Sequence, residues 1–162
     1  DEFVFQTLMN YEEKNFQNVS AESLDLDTVE EKEELEKANG EAKEMFDFMK
    51  EVINHEVQEI KFTHRLKNHP VCLTTEGMLS VEMEKALNAL PNNQNQKVKA
   101  QTVLEINEKH EIAEKLKKVY AEDKELLKKY TKLLYAQARL IEGLEIENPT
   151  EISNLMCEIM TK

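Results

Sequence analysis

Apolar residues recur at three-and-four spacing from Leu35 through Ala38, Ala42, Met45, Phe46, Met49, Val52 and Ile53, which predicts one long amphipathic helix over about 28–54. Its start is encoded locally. Thr28 and Glu31 stand three apart, the spacing at which a hydroxyl and a carboxylate each satisfy a backbone N–H left free at a helix N-terminus. Gly40 lies inside this helix at a cost of about 1 kcal/mol relative to Ala, which length and packing can offset. Upstream, Phe3, Val4, Leu8 and Tyr11 share a helical face, predicting a short helix from Asp1 to about Glu12 and then an extended piece over Phe16–Val19. That stretch is too short to bury its own apolar face and reads as the edge of a preceding domain.

The period changes over VQEIKFTHRL, residues 57–66. Ile60, Phe62, His64 and Leu66 point one way and Glu59, Lys61, Thr63 and Arg65 the other, as in a half-buried strand. Asn68, His69 and Pro70 make a turn, and Val71–Thr75 a second strand. A helix over Ser80–Leu90 is stopped by Pro91, and a polar loop follows. Val98, Ala100, Thr102, Leu104 and Ile106 then alternate with Lys99, Gln101, Val103 and Glu105 in a third strand. The remainder is helical. Ile112, Leu116, Val119 and Tyr120 mark one helix. A second, capped by Asp123, carries Leu126, Leu127, Tyr130, Leu133, Leu134, Gln137, Ala138 and Ile141 and ends at Gly143. Asn148 and Pro149 open a third, with Ile152, Leu155, Met156, Ile159 and Met160. The order is α+β, a small three-stranded sheet with helices to one side and no internal repeat.

Composition narrows the functional classes. The 162 residues carry 33% charged and 40% apolar side chains and a net charge of −12, with a mean hydropathy of −0.63. Such a chain folds, has no run near the roughly 20 apolar residues of a membrane span, and lacks the basic stripe that a nucleic-acid backbone attracts. No signal peptide is visible, and a start at Asp1 in mid-pattern reads as an excised piece. Cys72 and Cys157 are far apart and form no Cys-x-x-Cys, which fits a reducing cytoplasm. His55, His64, His69 and His110 include no pair at zincin spacing, and no cysteine lies near a second metal ligand. There is no Gly-rich phosphate loop and no G-x-S-x-G. A small hydrolase built on His64 or His110 thus lacks a supporting constellation.

Two apolar features remain. On the Met78–Leu90 segment, Leu79, Met83, Leu87 and Leu90 form a stripe with Met78 beside it, which either covers the sheet or offers a tolerant contact surface. The last two helices together carry more large apolar residues than a narrow stripe requires. They either pack inward on their own domain or build a four-helix bundle from two copies about a two-fold axis.

The segments KFTHRLKNHPVCLTT and EGMLSVEMEKAL, residues 61–87, resemble the C-terminal domain of the ninety-kilodalton heat-shock chaperone family. VLEINEKHEIAEKL (103–116) and LLYAQARLIEGLEIENPTEISNLM (133–156) continue the resemblance, and DEFVFQTLMNYEEKNFQNVS with the following ESLDL resembles the end of that family's middle domain. The resemblance implies a middle-domain remnant over 1–27 and a C-terminal dimerisation domain over 28–162, in the order helix, hairpin, helix, strand and helices. It implies a homodimer held by an intermolecular four-helix bundle of Lys124–Glu142 and Pro149–Met160, with Leu126, Leu127, Tyr130, Leu133, Leu134, Ile141, Ile152, Leu155, Met156, Ile159 and Met160 at the interface. It implies contact with unfolded or partly folded client proteins through Met78, Leu79, Met83 and Leu87, with Ala86 smaller than its counterpart can be elsewhere in the family. ATP and Mg would belong to an N-terminal ATPase domain outside this sequence, leaving no catalytic, cofactor or metal residue here. The ending CEIMTK lacks the acidic tail that recruits tetratricopeptide co-chaperones, which implies a bacterial or organellar member without that dock. Cys157, beside the implied interface, is either a redox-sensitive thiol or a buried inert one.

Overall fold

The computed structural model describes residues 8, 10–16, 28–77, 79–89 and 98–161. The chain divides into two compact units, Leu26–Leu73 with Thr102–Lys162, and Asp1–Asp25 with Thr74–Gln101.

The larger unit is organised by helix α1, Val29–Val52. Thr28 caps it as its spacing predicts: Thr28 Oγ1 accepts from the Glu31 N–H at 3.3 Å, and Glu31 Oε2 accepts from the Thr28 N–H at 3.0 Å. Those bonds favour the ionised carboxylate and hold the Glu31 pKa below its ordinary value. The other end closes with Asn54 and His55, both at positive φ. The Asn54 N–H donates to the Glu51 carbonyl and the His55 N–H to the Lys50 carbonyl, satisfying orphan acceptors of the last turn.

A three-stranded sheet has the order β3-β5-β4, from β3 (Glu59–Thr63), β4 (Val71–Glu76) and β5 (Gln101–Asn107). β3 runs parallel to β5, with Ile60 opposite Leu104 and Phe62 opposite Ile106. The hairpin expected of β3 and β4 is therefore absent, because β5 lies between them. The link over residues 64–70 is long enough to pass the end of β5 and is tied there: the Asn107 N–H donates to the Pro70 carbonyl at 2.9 Å, and Asn107 Nδ2 to the His69 carbonyl at 3.2 Å. Although apolar and polar positions alternate along it, β5 is buried on both faces. Every residue from Thr102 to Asn107 is buried, as a strand with neighbours on both edges and cover on both faces must be.

Helices α3 (Glu111–Glu122), α4 (Lys124–Ile141) and α5 (Pro149–Met160) complete this unit. α1 packs on β3, α3 and α4, and α4 packs on α3 and α5. The core gathers Met45, Phe46 and Met49 of α1, Ile60 and Phe62 of β3, Leu104 and Ile106 of β5, Leu116 of α3, and Leu127 and Leu134 of α4. Phe46 and Phe62 meet edge to face at 4.9 Å. Full burial of each such side chain contributes about 1.5–3 kcal/mol. α4 ends at Gly143, whose φ of 66° is the left-handed conformation that glycine adopts without penalty. There the Leu144 N–H donates to the Arg139 carbonyl at 2.8 Å and the Gly143 N–H to the Leu140 carbonyl at 3.0 Å, which ends the helix and turns the chain toward α5.

In the smaller unit, β1 (Asn10–Tyr11) and β2 (Lys14–Asn15) pair antiparallel around Glu12 and Glu13. The helix expected to reach Glu12 is absent over these residues. Glu12 and Glu13 have φ of 48° and 64°, a tight turn that no Gly or Asn announces. The expected positions 1–7 and 17–19 lie outside the described residues. Helix α2, Val81–Asn88, is capped by Ser80, whose Oγ accepts from the Met83 N–H at 3.1 Å. The segment before β5 is held to α2. Asn88 Oδ1 accepts from the Val98 N–H at 2.9 Å, Asn88 Nδ2 donates to the Val98 carbonyl at 2.8 Å, and Glu84 Oε2 accepts from the Ala100 N–H at 2.7 Å.

Candidate interaction surfaces

α4 presents three faces at about 100° per residue. Leu127, Thr131, Leu134 and Ala138 turn into the core, and the Thr131 hydroxyl donates to the Leu127 carbonyl at 2.8 Å. Lys129 and Lys132 face α5, where they pair with Glu158 and Glu151 as two rungs of an antiparallel helix pair. The third face carries Leu126, Leu133 and Leu140 at seven-residue spacing, flanked by Tyr130 and Ile141. Leu126, Tyr130 and Leu133 are half-buried, Ile141 is exposed, and Leu140 is 55% exposed. α5 has no buried residue. Ile152, Leu155 and Ile159 are half-buried, and Met156 and Met160 are exposed.

Two residues expected at an interface are already buried within a single copy. Leu127, with no exposed surface, and Leu134 are core residues of a single copy, because they fall on the face of α4 that packs against α1 and α3. Leu140, which the sequence reading did not single out, completes the seven-residue row.

On α2, Val81 is buried, and Glu84 and Asn88 share its side of the helix, holding the segment at Val98–Ala100. The helical wheel puts Met83 and Ala86 on the opposite side and Leu87 at its flank, and Leu79 lies just before the helix. Leu79, Met83 and Leu87 are half-buried and Ala86 is exposed, while Met78 and Leu90 lie outside the described residues.

Three of the chemistry-bearing groups sit in a helix cap or beside an opposite charge. His110 caps α3, its Nδ1 accepting from the Ile112 N–H at 3.1 Å. The buried His64 side chain places Nε2 3.7 Å from the Glu108 carboxylate. Glu105, expected on a polar strand face, is 1% exposed and lies 3.6 Å from Arg65 Nη1 and 4.0 Å from Lys61 Nζ. Cys72 Sγ is 3.9 Å from its Oε2. Burial, and then the Glu105 charge, push that thiol's pKa up to about 12. Cys157 is exposed, so of its two expected states the buried one does not apply. Among the described residues no three His, Cys, Asp or Glu side chains converge as a metal site, and no helix is long and apolar enough to cross a membrane.

Apolar surface lies open on α4 and α5, beside ionisable groups engaged in capping and pairing. A family profile described as Hsp90 protein matches residues 1–162, and the chain belongs to that chaperone family, in its bacterial HtpG branch. It is 51% identical over 160 residues to the chaperone protein HtpG of Clostridium botulinum (strain Langeland), 49% to that of Clostridium perfringens (strain 13), and 45% to that of Bacillus subtilis (strain 168). Each alignment covers 99% of this chain and 25% of the relative, so the chain spans about a quarter of the length of the curated relatives it matches.

Proposed function

We propose that this chain is the segment through which a cytoplasmic Hsp90-family chaperone joins two copies of itself, and that α2 offers partly folded client proteins a second apolar surface. The observation that carries the first half is the row Leu126, Leu133 and Leu140 on α4 beside an α5 with no buried residue. Two such helix pairs, related by a two-fold axis, bury one another's open faces as a four-helix bundle. Joining two copies there raises the effective concentration of the parts attached to each, including the ATP-binding domains of a full-length chaperone. ATP and Mg then act outside this segment.

The client role rests on Met83, with Leu87 at its flank and Leu79 just before α2, where methionine and leucine adapt to varied partners. Half-burial of Leu79, Met83 and Leu87 favours the narrower reading of a dimerisation module alone. Sedimentation equilibrium from nanomolar to tens of micromolar tests the first half. The chain sediments as a dimer over most of that range, and Leu133→Asp with Ile159→Asp sediments as a monomer. A wild-type monomer throughout, or a variant that stays dimeric, overturns it. Met83→Ser with Leu87→Ser weakens capture of an unfolded client without lowering the melting temperature; a much lower melting temperature assigns the stripe to the fold.

A further inference from the structure

β3 is an edge strand, and its outer side is closed at two places with a gap between them. Peptide groups two residues apart along a strand point the same way. The Thr63 carbonyl accepts from the Glu108 N–H on the β5 side at 3.1 Å, so Thr63, Lys61 and Glu59 direct their peptide groups toward β5, and Phe62 and Ile60 direct theirs outward. Asn39 of α1 takes both outward groups of Phe62: its Oδ1 accepts the N–H at 2.7 Å and its Nδ2 donates to the carbonyl at 3.3 Å. Lys50 Nζ donates to the carbonyl of Gln58, just before the strand. Among the described residues no hydrogen bond closes the outward N–H and C=O of Ile60.

That gap opens into a cleft of about 340 Å³ between α1 and the strand. Asn39, Gly40, Lys43, Asp47 and Lys50 line it as a single stripe of α1. Gly40 is the residue whose presence in mid-helix the fold alone leaves unexplained. Its φ is not positive, and a Cβ added there meets nothing within 4 Å, so no close neighbour excludes a side chain. Its effect is to keep the cleft wide beside Ile60.

We propose that this cleft binds a glutamine or asparagine side chain of an extended partner polypeptide, its carboxamide pairing with the N–H and C=O of Ile60. A carboxamide both donates and accepts, which a carboxylate or an ammonium cannot do. The molecule makes this pairing twice within itself, with Asn39 on Phe62 and Asn88 on Val98. An added β-strand would need the neighbouring positions that Asn39 and Lys50 already occupy, so the group that fits is a single donor–acceptor pair. The stripe from Asn39 to Lys50 runs roughly 16 Å, the length of four or five extended residues and more than a free amino acid needs. Lys43, Lys50 and Lys61 line it together with Asp47 and Glu59, a mixture of both signs that suits a neutral peptide better than a polyanion or polycation.

The test is a titration of the ¹⁵N-labelled chain with a blocked pentapeptide carrying one glutamine among alanines, read at the Ile60 amide by NMR. The Ile60 resonance shifts and saturates, and a glutamate-centred peptide binds roughly tenfold more weakly, about the loss of one hydrogen bond. Gly40→Ala keeps binding, while Gly40→Leu, a better helix former than glycine, folds as well and loses binding roughly tenfold or more. A silent Ile60 amide, an equal shift with an all-alanine peptide, or undiminished binding by Gly40→Leu overturns the proposal.

Discussion

Replacing Leu140 with Ser removes an apolar side chain whose surface is mostly open in one copy of the chain. Full burial of a leucine is worth about 1.5–3 kcal/mol, and the proposed two-copy bundle would cover the 55% of the Leu140 surface that is exposed. The loss is therefore about 0.8–1.6 kcal/mol per copy, counted twice across a two-fold interface. At about 1.4 kcal/mol per decade, the dimer dissociation constant rises between about tenfold and two-hundredfold. The covered part of the side chain costs the single-copy fold only about 1 kcal/mol. Sedimentation equilibrium gives the dissociation constant, and urea unfolding below it gives the fold's stability. Leu127→Ala is the control, since a fully buried leucine truncated to alanine costs the fold about 2–5 kcal/mol. A dissociation constant for Leu140→Ser within about threefold of wild type, beyond the error of the assay, refutes the seam along Leu126, Leu133 and Leu140.

Arg65→Met leaves the buried Glu105 carboxylate without its nearest cation and lowers stability to urea by about 3–5 kcal/mol; a loss under about 1 kcal/mol refutes the pairing. Adding Glu105→Leu to Arg65→Met recovers a large part of that loss, because the buried charge that had lost its nearer cation is then gone. Iodoacetamide near neutral pH modifies Cys157 and spares Cys72 in the folded chain, which mass spectrometry of digested peptides reads directly. The Cys72 thiol ionises near 9 when unfolded and near 12 when folded, so the unfolded state loses its proton first. Stability therefore falls as pH rises through that window, and Cys72→Ala flattens the fall.

Three of the helices were legible through two agreeing signals, an apolar period and a cap. Thr28 with Glu31, Asp123, and Asn148 with Pro149 all stand where the structure starts a helix. Tertiary partners were not legible. β5 alternates like a half-buried strand, yet Glu105 is buried because Arg65 and Lys61 reach it from a distant part of the sequence. The hairpin reading of β3 and β4 failed for a related reason, since adjacency along the chain says nothing about a later strand inserted between them. On α4, Leu126 and Leu127 look alike in sequence and so do Leu133 and Leu134; one of each pair is core because α1 and α3 cover only one face. The turn at Glu12 and Glu13 has no residue that favours positive φ, so the chain there read as helix.

α5 owns no interior. Within one copy it rests on α4 through two ionic rungs and a half-covered apolar stripe, with all its residues touched by solvent. A helix of twelve residues in that position is marginal alone. If two copies join as proposed, its order depends on how many neighbours are present: dilution lets it fray, and crowding of like chains lets it set. The far end of this chain is thus a reporter of its own abundance, and amide exchange along Pro149–Met160 slows as the protein is concentrated while exchange in β5 stays unchanged.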